Sequence, residues 1–190
     1  MMRRQGQIWI ETVLYTIIGL AVIALVLSYV YPRIQSAQEK IIVEQTIEAL
    51  NKLDYQITKV QELGVGNQKI YSFAMKRGKL TIDAKEDVIT FTITDLKSAY
   101  SEPGVEIQDG RVKLMTRTAK QGNTVILILN YRATDNPFLA LTDLRVDNNA
   151  DGKREYAQAA TPYQFSIQSV EVTDVGTRKM YVLIDEVSGL

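Results

Sequence analysis

No cysteine and no histidine occurs in this 190-residue chain. Disulfides, thiol nucleophiles, imidazole general bases and the usual zinc or copper ligand sets are thereby excluded. Any chemistry has to rest on carboxylates, hydroxyls and amines, and no constellation of those reads as a catalytic centre. An excess of one charge is also missing: 22 basic residues face 22 acidic ones, so nothing global draws the chain to nucleic acid. None of the Asn residues heads an N-x-S/T acceptor sequence. Proline is scarce, at four residues, and one of them, Pro32, stands where the character of the chain changes.

One stretch lacks charge altogether. The run "TVLYTIIGLAVIALVLSYV", Thr12–Val30, holds 19 residues, which at about 1.5 Å rise each reaches roughly the thickness of a bilayer's hydrocarbon core. Arg3 and Arg4 precede it, and Trp9, Tyr29 and Tyr31 flank it, the pattern of an anchor with a cytoplasmic N-terminus and the remaining chain outside the cell. Ser28 to Tyr31 make a poor secretory cleavage site. Ala21, Ala24 and Ser28, at steps of three and four, line one side with small residues suited to close helix packing.

Beyond Pro32 the pattern becomes amphipathic. Ile34, Ala37, Ile41, Val43, Ile47, Leu50, Leu53, Ile57 and Val60 read as a helical stripe across 33–63, with Gly64 and Gly66 as the stop. From Gln68 the period becomes two, as in "VITFTIT", where Ile89, Phe91 and Ile93 alternate with threonines. Turn signals at Arg77-Gly78, Asp109-Gly110 and Gln121-Gly122-Asn123 separate short strands. "VILIL" (125–129) and "MYVLI" (180–184) are apolar almost throughout, predicting central strands covered on both faces. The expected fold is α+β: a long helix over 7–64, hydrophobic and then amphipathic, followed by an antiparallel β-sandwich-like head over 68–190.

Two local motifs suggest sites. In "VDNNADGKRE", Asp147, Asn149 and Asp151 before Gly152 match the first half of a calcium loop, with the Lys153 carbonyl and Glu155 as further ligands, although Gln158 stands where a bidentate glutamate belongs. No cofactor is required by this reading; Ca2+ would stabilise the head. The loop "YSEPGVEIQDG" reads as exposed, with Tyr100 free to meet a neighbour, and Asp83, Glu86 and Asp87 as solvated charge at a hairpin tip.

The leader is the more specific signal. "RRQGQIWIETVL" resembles the processing region of archaeal type IV pilin precursors with a class III signal, in which a short basic leader is cut before a glutamine and the hydrophobic segment follows. Trp9 stands where that family often has serine, and Tyr15 where it often has leucine. The resemblance covers residues 3 to 31. It implies a prepilin peptidase cutting Gly6-Gln7, residues 1–6 lost as leader, and an assembly role for Glu11 in neutralising the new α-amine. It further implies a precursor held in membrane lipid, then an extracellular filament of copies of itself or other pilins, used for adhesion or surface contact. The alternative is a single-pass anchored extracellular binding module that never polymerises.

Overall fold

The structure is a computed structural model and describes residues 3–120, 122–132, 143–146, 152–174 and 177–187. One helix, α1 (Arg3–Leu63), runs through Pro32 without interruption. It ends where Gly64 takes a positive φ of 83°, a backbone conformation that side chains with a Cβ resist. The Asn67 amide closes the end by donating to the Leu63 carbonyl at 2.8 Å. The chain divides into two compact units, Met1–Glu39 and Lys40–Leu190, so the second half of α1 belongs with the strands.

Ten strands follow among the described residues: β1 (Gln68–Phe73), β2 (Lys79–Asp83), β3 (Val88–Leu96), β4 (Glu106–Asp109), β5 (Val112–Ala119), β6 (Gly122–Asn130), β7 (Asp143–Arg145), β8 (Lys153–Ala157), β9 (Tyr163–Asp174) and β10 (Thr177–Glu186). They form a six-stranded sheet ordered β4-β5-β6-β3-β2-β8 and a four-stranded sheet ordered β1-β9-β10-β7. Among these strands the pairings are antiparallel except β7 with β10. The α+β, sandwich-like head expected from the sequence is therefore present.

Strand periodicity explains the core. Ile89, Phe91 and Ile93 of β3 are at most 1 % exposed, and Leu80, Ile82, Leu114, Leu127 and Leu129 join them from neighbouring strands. Phe73, Phe165, Ile167, Val182 and Ile184 bring the smaller sheet into the same core, and Val43, Ile47, Leu50, Leu53, Ile57 and Val60 of α1 complete it.

Two expectations need correction. Ile34, Ala37 and Ile41 do not continue the buried stripe; all three are exposed. The step of two from Ile41 to Val43 rotates the helix by about 200°, which carries the earlier residues to the other side. In "VILIL" the strand is central, but only Val125, Leu127 and Leu129 are buried, while Ile126 and Ile128 are half-buried. Their cover comes from cross-strand neighbours, Thr92 and Met115 beside Ile126 and Thr90 and Lys113 beside Ile128, rather than from a second layer.

The loop after α1 is tied to β9 by two backbone bonds, Gly66 N–H to Ser169 O at 2.9 Å and Ser169 N–H to Asn67 O at 3.0 Å. These hold Ser169 in the core, where its hydroxyl is buried without a hydrogen-bond partner. An unsatisfied buried hydroxyl costs about 1–3 kcal/mol. Ser169→Ala is therefore expected to raise stability by about 1 kcal/mol, seen as a melting temperature about 2–4 °C higher. A lower melting temperature would mean that the hydroxyl is bonded in solution.

Candidate functional site

The segment that departs most from globular packing is the first half of α1. Trp9 is 73 % exposed, Leu25 71 % and Tyr15 70 %, and every residue from Trp9 to Ile34 is exposed. An 18-residue stretch within this helix has a mean hydropathy of 2.5 with none of it buried, so one N-terminal helix is long and apolar enough to cross a membrane. Apolar residues lie all round rather than along one stripe, the pattern of a helix whose solvent is itself apolar.

Two hydroxyls in this segment are satisfied by their own helix. Thr16 Oγ1 donates to the Thr12 carbonyl at 2.8 Å, and Ser28 Oγ to the Leu25 carbonyl at 2.9 Å. Such bonds let hydroxyls enter an apolar medium at little cost. Pro32 lacks the N–H that would have bonded the Ser28 carbonyl.

Gly6 and Gln7, the expected cleavage pair, lie within the helical backbone of α1. Glu11 follows one turn later and is exposed; among the described residues it makes no hydrogen bond or ion pair. Ala21, Ala24 and Ser28 are exposed too. At about 100° per residue they fall on one side, about 110° around the axis from Glu11, so they form a separate face.

Glu11 is the acidic end of a second pattern. From Thr12 to Pro32 there is no charge, and the next charged residue is Arg33, which lies 5.8 Å from the Tyr29 ring centroid, within cation–π range. Nothing but the composition of "YPRI" signalled this arginine, and sequence reading passed over it.

Asp147, Asn149 and Asp151 of the calcium motif lie outside the described residues. Glu155 sits on β8 with its carboxylate 2.8 Å from Lys79 Nζ, and the hydrogen bond and charge of Lys79 hold its carboxyl below the ordinary carboxylate range. Among the described residues no group of three or more acidic side chains is placed to hold a metal ion.

The carboxylates of "DAKED" diverge, and they are paired rather than merely solvated. Asp83 Oδ1 caps the Glu86 N–H at 3.1 Å, Glu86 pairs with Arg132, and Asp87 Oδ1 accepts from Leu144 N–H at 2.8 Å. Tyr100 is likewise no free contact: it packs against the head's own core, and Ser101 beside it is bonded to Thr116. Sequence reading also missed a polar cluster in the head, where Asp54 Oδ1 accepts from Arg111 Nη1 at 2.7 Å and Tyr131 Oη at 2.8 Å.

A groove of about 390 Å³ runs beside α1, lined by Glu44, Glu48, Asn51, Lys52, Tyr55 and Asp109. No family model, curated protein or solved structure matches the chain.

Proposed function

We propose that this chain is the subunit of an extracellular type IV pilus-like filament, made as a membrane precursor, cut between Gly6 and Gln7, and polymerised through the apolar half of α1 for adhesion or surface contact. The observation that carries this reading is a helix apolar on all sides that presents one carboxylate, Glu11, at its start, without a partner among the described residues. A plain anchor gains little from an acid there. The helix macrodipole favours it by about 0.3–1 kcal/mol, whereas a charge at a bilayer centre costs roughly 2.5–3.5 kcal/mol, falling toward the edge.

Cutting at Gly6-Gln7 gives Glu11 its purpose. It creates an α-amine at Gln7, one helical turn away, and removes Arg3 and Arg4, the charges that resist extraction. The apolar helix then exchanges lipid for identical helices while its one acid neutralises the new cation. The partners in this reading are copies of the chain or other pilins, and the peptidase that cuts the leader.

The test is intact-mass and N-terminal analysis of protein from surface filaments of the source organism, expected to show a chain starting at Gln7. A second reading, an anchored binding module, is favoured by the groove beside Tyr55 and Asp109, whose volume suits a small ligand. Envelope-bound protein that retains Arg3 and Arg4, with none in filaments, would select that module instead.

A further inference from the structure

Resting on the filament reading, we infer that neighbouring copies pack in parallel with an axial stagger of 22 residues, so that Glu11 of one copy meets Arg33 of the next. Glu11 and Arg33 bound the charge-free stretch. They are separated by about 33 Å along α1 and by only about 40° around it, which puts acid and base on one face.

Parallel copies without stagger would set Glu11 against Glu11 and Arg33 against Arg33, two repulsive contacts in an apolar setting. Antiparallel packing would pair them, but chains inserted with the same topology cannot adopt it. A shift of 22 residues is a parallel register that brings opposite charges level, and it uses Arg33, the first basic residue after the charge-free stretch. Each copy then meets one neighbour through Glu11 and another through Arg33, so the contact propagates instead of closing as a dimer. The Glu11 carboxylate has room for both cations, since it accepts hydrogen bonds on two oxygens.

A second observation selects the same register. Ile34, Ala37 and Ile41 are exposed, the first and last at 50 %. Shifted by 22 residues they lie beside Thr12, Tyr15 and Gly19 of the neighbour. Apolar side chains thereby meet the apolar segment, and Ile41 faces Gly19, around whose missing Cβ no atom lies within 4 Å. Arg33, beside Tyr29 on its own helix, enters with a stacked aromatic on one side and a carboxylate on the other.

The chain has no native cysteine, so introduced thiols report the register directly. In filaments of the full chain carrying both Tyr15→Cys and Ala37→Cys, a short thiol–thiol cross-linker is expected to give a ladder of dimers, trimers and longer species, with no dimer from either single variant. Within one chain these positions are about 33 Å apart, so the ladder must be intermolecular. Filaments whose subunits start at Gln7 but give no ladder, or that yield dimers from Tyr15→Cys alone, overturn the register and leave the filament reading standing. Protein confined to the membrane with Arg3 and Arg4 retained overturns the filament reading itself.

Should the double variant not assemble, Arg33 decides. Arg33→Gln is expected to cut filament yield at least tenfold while Arg33→Lys keeps at least half, with the melting of the head unchanged in both. Equal yields from the two variants sink the pairing.

Discussion

Replacing Asp54 by alanine is expected to lower the unfolding free energy of the head by about 3 kcal/mol, the low end of the range for breaking a buried charge pair. Asp54 lies on α1 and is 7 % exposed. It accepts from Arg111 just before β5 and from Tyr131 just after β6, and Arg111 also lies 5.1 Å from the Tyr131 ring centroid. One carboxylate thus fastens the helix to the six-stranded sheet at two points. Alanine would leave the fully buried Tyr131 hydroxyl without its acceptor and strand the Arg111 cation, whose side chain is only 27 % exposed. The measurement is chemical denaturation of the full chain in detergent, with Ala and Asn variants side by side. Asn keeps the volume and one acceptor oxygen and should lose less.

The same residue sets a pH dependence. Burial holds the Asp54 carboxyl above the ordinary carboxylate range, outweighing the opposing pull of Arg111 and of the Tyr131 hydrogen bond. A carboxyl with a raised value in the folded state binds its proton more tightly there than in the unfolded chain. Its contribution is then complete below the unfolded value of 3.8 and falls as pH rises through the raised one. Stability of wild type relative to the Asp54→Asn variant should therefore decline from acidic toward neutral pH. A difference that grows with pH would mean that the Arg111 charge dominates over burial.

Patterns with a strong period were legible from the chain. The β3 alternation, the helix stop at Gly64, and the stripe from Val43 to Val60 all follow from spacing, because burial of a regular element repeats with its geometry. Where one stripe ends and another begins was also written in the sequence, as the two-residue step from Ile41 to Val43, but the run of apolar residues hid it. Partnerships between distant segments could not be read. Nothing near Asp54 names Arg111 and Tyr131, which lie 57 and 77 residues away, and the bonds of Glu86 and Asp87 depend on where the end of β6 and β7 pass. Glu11 was legible for a different reason: a lone acid beside a long apolar run is conspicuous without any tertiary context. Arg33 became conspicuous only when the helix proved continuous through Pro32, which places both charges on one rod.

Glu11→Ala is expected to leave cleavage at Gly6-Gln7 intact and to remove filaments almost completely. On the proposed filament reading, the peptidase would act on the precursor at the membrane edge, where Glu11 would still be near water and its loss would cost little. Assembly is different. In the proposed filament the helix would leave lipid for a packed bundle of its own kind and the α-amine of Gln7 would be buried, with no other acid between Gln7 and Pro32. Removing the partner of a buried charge costs about 3–5 kcal/mol, and each 1.4 kcal/mol is tenfold in an equilibrium constant. Subunit addition should weaken by at least about a hundredfold, enough to leave processed subunits in the membrane at ordinary expression levels. Glu11→Gln, which keeps an acceptor oxygen but not the charge, should fall between wild type and alanine, and Glu11→Asp should retain part of the yield because the charge survives on a shorter arm. The readout is the ratio of filament to membrane protein with the N-terminus determined in each fraction. Wild-type filament yield from Glu11→Ala, with subunits starting at Gln7, would show that the amine finds another partner, and Glu11 would revert to an interfacial charge with no part in assembly.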